Sequence, residues 1–95
     1  MVRWLVERRL VDVSERLKRA RAELDVVDEQ FHALADEADD ARLRSLVSET
    51  PLAEHEHRES RRHAETMGAA RSRLTQRIAD LERQRDELLD KLGSR

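Results

Sequence analysis

The residues best suited to chemistry in this sequence lie in one run from His55 to His63, which holds His55, Glu56, His57, Arg58, Glu59, Arg61, Arg62 and His63. His55, Glu59 and His63 are spaced i, i+4, i+8, which puts them on one stripe of a helix. Imidazole and carboxylate are both zinc ligands. Two features argue against a metal. The run is not a His-Glu-x-x-His motif, because His55, the His followed by Glu, has Glu59 and not a second His at the fourth place on. Arg58, Arg61 and Arg62 also surround the stripe with positive charge. The expected reading is therefore three surface side chains of a charge-rich helix, with no metal and no cofactor. The sequence has no Cys, so a disulfide, a thiolate metal site and a Cys nucleophile are excluded. It has no Gly-rich phosphate loop and no nucleophile beside an oriented base. The expectation is a protein that is not an enzyme.

The elements that carry these side chains follow from composition. Charged residues make up 42% of the 95 residues and aromatics 2%, with two Gly and one Pro. Such a chain has too few large apolar groups to fill a three-dimensional core and too few breakers to turn often. That is the compositional mark of long helices or coiled coil. High charge also marks disorder, but the net charge is only −2 and the apolar residues are periodic. Alternate steps of four and three from Val6 reach Leu10, Val13, Leu17, Ala20, Leu24, Val27, Phe31, Leu34, Ala38 and Ala41 without meeting a polar residue. An unbroken heptad pattern of this length predicts coiled coil rather than an ordinary amphipathic helix. The second half repeats it through Ala64, Met67, Arg71, Leu74, Ile78, Leu81, Arg85, Leu88 and Leu92. Arg71 and Arg85 interrupt this seam; a long Arg stem can lie along it while the guanidinium reaches water.

Between the halves, Thr50 is a good N-cap and Pro51 suits the first position of a helix. The predicted fold is all-α, one domain over residues 1–95: helix one over 3–47, a turn over 48–50, and helix two over 51–92, forming an antiparallel coiled-coil hairpin. Reversal at Glu49 sets a register in which Val6 faces Leu92, Leu10 faces Leu88, Leu17 faces Leu81, Ala20 faces Ile78, Leu24 faces Leu74 and Phe31 faces Met67. Ala38 and Ala41 then face Ser60 and His57. Flanking charges agree with this register: Glu23 meets Arg77, Glu37 meets His63, and Arg44 meets Glu56. The one repulsive pair is Arg9 with Lys91. Exposed pairs are individually weak, about 0–1 kcal/mol, and matter here for choosing orientation. A two-helix seam buries little area, so the hairpin should gain from a second interface, including dimerisation to a four-helix bundle.

Two surfaces outside the seam could bind a protein partner. Near the turn, Leu43, Leu46, Val47 and Leu52 stand off the seam positions among the acids Asp36, Glu37, Asp39, Asp40, Glu49, Glu54 and Glu56. They either seal the turn as a plug or form a tip that docks into a basic, partly apolar groove. At the open end, Trp4 and Val11 lie one heptad apart, with Leu5 and Leu89 close by. Trp4 either wraps over the end or anchors a partner or a second copy, as Trp often does at interfaces. Basic stretches (Arg16, Lys18, Arg19 and Arg21 on helix one; Arg58, Arg61, Arg62, Arg71, Arg73 and Arg77 on helix two) could touch phosphates. Acids are interleaved with them and no aromatic platform accompanies them, so solvated faces are the better reading and nucleic acid is not the expected partner.

An acidic-tipped helical hairpin resembles, in outline and tip charge, the coiled-coil arm of Gre- and DksA-type factors. That resemblance implies docking in the secondary channel of RNA polymerase. The leading expectation is a non-enzymatic interaction module, with a transcription-machinery accessory factor as its most specific form. A self-assembling four-helix-bundle scaffold is the alternative, and a nucleic-acid accessory protein is the second. No apolar run approaches the ~20 residues of a membrane span, and Met1 to Arg9 break into charge too early for a signal peptide. A cytoplasmic protein without membrane contact is expected. Arg outnumbers Lys by 17 to 2, a skew that GC-rich coding produces and that points to a bacterial source.

Overall fold

The computed structural model describes residues 2–93. It consists of two helices, α1 (Val2–Ser48) and α2 (Pro51–Gly93). They form an antiparallel coiled-coil hairpin, and no strand is present among the described residues. Tertiary contacts group into two units. Unit 1 joins Met1–Leu24 to Arg73–Arg95, and unit 2 is Asp25–Ser72.

In unit 1 the seam is built from branched aliphatics. Val6, Val13, Leu17 and Ala20 of α1 are buried, as are Leu74, Ile78, Leu81 and Leu88 of α2. Leu10, Leu24 and Leu92 are half-buried. Side chains at alternate steps of three and four lie on one helical face, so packing that face against its counterpart takes most of the apolar stripe out of water. Ion pairs along the flanks fix the antiparallel sense. Arg77 Nη1 lies 3.8 Å from Glu23 Oε2, the pair that the register requires, and Arg21 Nη2 donates to Glu82 Oε2 at 3.2 Å. Arg85 keeps its seam position half-buried, and its Nε reaches Asp86 Oδ1 at 3.4 Å.

In unit 2 the seam is thinner and made of smaller groups. Ala41 and Ala53 are buried, while Val27, Phe31, Leu34, Ala38, His57, Ser60, Ala64 and Met67 are half-buried. The seam extends one layer past Ala41, to a half-buried Ser45 and the buried Ala53. Serine is not counted as apolar in a periodicity reading, so this layer is hidden in the sequence. Arg71 is the exposed seam position. Its guanidinium pairs with the Asp28 carboxylate and stands 5.8 Å from the centre of the Phe31 ring, a cation–π distance.

The same ring explains the glycine inside α2. A Cβ on Gly68 would lie 3.1 Å from Phe31 Cε1, so the missing side chain is the space the ring occupies. A mid-helix Gly is about 1 kcal/mol worse than Ala. We expect Gly68→Ala to change stability by less than about 0.5 kcal/mol, because the propensity gain is offset by crowding. In a Phe31→Leu background the same substitution should recover most of that ~1 kcal/mol. A double-mutant cycle read by urea unfolding measures the coupling. A full gain in the parent protein would mean that the glycine is not there for the ring.

The turn consists of Glu49 and Thr50. The Glu49 N–H donates to the Ser45 carbonyl at 3.0 Å, closing α1. The Thr50 hydroxyl accepts the Ala53 N–H at 3.2 Å, satisfying one of the free donors at the start of α2. Pro51 follows at the position where a missing N–H leaves nothing unpaired. Glu49 has a φ of 50°, the left-handed conformation that commonly follows a helix and that Gly or Asn adopts more easily.

Candidate interaction site

The turn surface lies wholly within unit 2. Because α1 runs to Ser48 and α2 starts at Pro51, only two residues are free of helical geometry. Side chains off the seam therefore radiate outward, and none can fold back over the turn. The plug reading fails on this geometry. Leu43, Leu46 and Leu52 are each at least 60% exposed, and Val47 is 85% exposed. Glu49, Glu54 and Glu56 are exposed as well. Among the described residues none of these three carboxylates is in an ion pair, unlike Glu37, whose Oε1 accepts Arg44 Nη2 at 3.0 Å. That contact replaces the expected Glu37–His63 and Arg44–Glu56 pairs, since Arg44 turns back along its own helix. The surface thus combines four bare aliphatic groups with uncompensated negative charge.

The predicted open-end residues lie in unit 1 and divide between two sides. Trp4 is 59% exposed, with the Arg8 guanidinium 5.5 Å from its ring centre. It does not close over the end. Val11 and Leu89 are also exposed. Leu5 is about 100° round the helix from Trp4 and lines a groove of about 450 Å³ with Arg8, Arg9, Asp12, Val13 and Arg16. A second groove of about 510 Å³ has the buried Ala20 and Leu81 at its base, with Arg16, Arg19 and Arg77 and the acids Glu23 and Asp80 around them. Arg16 and Gln84 line both. Some of the charge is internally matched: Asp12 holds Arg16 at 3.2 Å and Asp80 holds Arg83 at 2.6 Å. Arg9 and Arg19 are in no ion pair among the described residues. Sequence reading missed this arginine-lined trough because its rim comes from both helices and each stretch, read alone, looks balanced.

The histidine stripe gathers no ligand set. Among the described residues no three His, Asp or Glu side chains are placed to hold a metal ion, and Glu59 Oε1 is engaged by Arg62 Nη1 at 3.0 Å. Among the described residues, no helix is long and apolar enough to cross a membrane.

Fold and surfaces together define a class: a helical hairpin with a bare, acid-flanked turn and an arginine-lined groove. No protein-family model, curated protein or solved structure matches this chain.

Proposed function

We propose that this protein is a non-enzymatic interaction module that docks on a larger assembly through its turn surface. The observation that carries this reading is the exposure of Leu43, Leu46, Val47 and Leu52 beside three unpaired carboxylates. Single exposed aliphatics are ordinary, whereas four exposed within the ten residues 43–52, among acids, are grounds for a binding surface. The partner surface must be basic and partly apolar. The secondary channel of RNA polymerase is the most specific form of this proposal, given the resemblance to Gre- and DksA-type hairpin arms.

Affinity capture from the source cells tests it, with the parent protein compared against a Glu49→Lys, Glu54→Lys, Glu56→Lys variant. A protein retained by the parent and lost with the variant supports the reading, and polymerase subunits among the retained proteins support its specific form. Equal retention by both would place the contact elsewhere. The exposed Trp4, Val11 and Leu89 favour a second reading, a four-helix-bundle dimer packed through that face. Light scattering would then show a dimer that Trp4→Ala abolishes.

A further inference from the structure

We infer that the arginine-lined groove of unit 1 receives the turn surface of a second copy of this chain. The inference rests on the reading of the turn as a docking surface and names an occupant for it. Three observations converge. The turn surface calls for a basic, partly apolar groove, and unit 1 carries one. Leu5 and Val13 line its first part and Ala20 and Leu81 its second, and five arginines (Arg8, Arg9, Arg16, Arg19 and Arg77) outnumber the acids Asp12, Glu23 and Asp80 around them. Formal charge is segregated between the units in the matching sense. Unit 1 has 13 Lys and Arg against 9 Asp and Glu, a net +4; unit 2 has 6 against 12, a net −6; together they give the −2 of the whole chain. The groups on each side are also free to pair. Arg9 and Arg19 have no acid partner among the described residues, and Asp36, Asp39 and Asp40 stand exposed near the turn with Leu43 and Val47.

Opposed charge patches steer and orient association, and they disfavour the arrangement that sets like on like. Groove against groove or turn against turn would do that here. Groove against turn buries aliphatic groups on an aliphatic floor and sets carboxylates against guanidinium groups, whose planar donors suit them. The contact joins two different surfaces, and each copy carries both. Two copies that made both contacts at once would be related by a two-fold axis.

Charge exchange tests this with the intact chain. The parent protein is expected to be dimeric by sedimentation equilibrium at high micromolar concentration and low salt, and to dissociate as salt screens the pairs. Asp36→Lys, Asp39→Lys and Asp40→Lys together bring residues 36–56 from a formal net −5 to +1, and Arg9→Glu with Arg19→Glu turns the groove lining negative. Both sets are exposed, and circular dichroism confirms that each variant remains helical. Each variant alone should associate about ten-fold more weakly or worse. An equimolar mixture should regain a one-to-one complex, because each reversed surface then meets its opposite.

A parent chain that stays monomeric under these conditions overturns the inference. So does a dimer that neither charge set affects but Trp4→Ala abolishes, which would place the contact at the Trp4 face. A monomer whose groove holds an oligonucleotide at low salt, and loses it with Arg9→Glu and Arg19→Glu, overturns it in favour of a nucleic-acid ligand. Failure here is distinct from failure of the docking proposal. A monomeric chain that still retains a protein lost with the Glu49, Glu54 and Glu56 reversals keeps that proposal and removes only the second copy as occupant.

Discussion

Leu17→Ala should unfold most of the protein at room temperature. Leu17 is 2% exposed, the most deeply buried large side chain in the seam of unit 1. Removing a buried Leu beyond its Cβ loses the transfer free energy of the deleted atoms and leaves a cavity, together about 2–5 kcal/mol. A chain this small has roughly 3–5 kcal/mol of stability to lose. Its seam is also one layer deep, so no second shell of apolar groups can close around the hole. The companion substitution is Val11→Ala, one helical turn and a half away on an exposed position, which should shift stability by no more than about 0.5 kcal/mol. Urea unfolding followed by circular dichroism measures both. Comparable losses at the two positions would mean that the heptad seam is not what holds the helices together.

The seam was readable because its period is rigid: apolar residues at steps of three and four admit one face, and a turn at Thr50 and Pro51 admits one pairing direction. Leu17, Ile78 and Leu81 are buried for that reason alone. The choice among charged partners was not readable. Arg44 has acids in reach on its own helix and on the other, and the alternatives differ by less than about 1 kcal/mol, which no spacing rule resolves. The Phe31 and Gly68 fit was hidden because a glycine inside a heptad reads as a weakness until the ring beside it is known. On the surfaces, the residue types near the turn were legible, but their exposure depended on how short the turn is. The arginine-lined groove depended on bringing Arg77 beside Arg16 and Arg19, which are far apart in the chain. Surface chemistry can be read along one helix; a groove shared by two helices needs the register first.

Ala41→Leu separates two views of the seam near the turn. Leu is the usual occupant of such positions, and by area alone a larger side chain should stabilise the hairpin by about 0.8 kcal/mol per added buried methylene. The structure argues the opposite sign. Ala41 is 1% exposed, and the layers around it are built from small groups, Ala38, Ser45, Ala53 and Ser60, all buried or half-buried. Small seam residues leave little space between the helices, and a branched side chain placed there must force them apart or leave its rotamer well, at a cost of about 1–3 kcal/mol. The disturbance would also reach Ala53, whose N–H is held by the Thr50 hydroxyl. The expected result is a loss of about 1–3 kcal/mol on urea unfolding, with part of it recovered when His57, the facing residue in the register, is shortened by His57→Ala. A more stable Ala41→Leu variant would show that the helices have room near the turn and that the small residues there are not what sets their spacing.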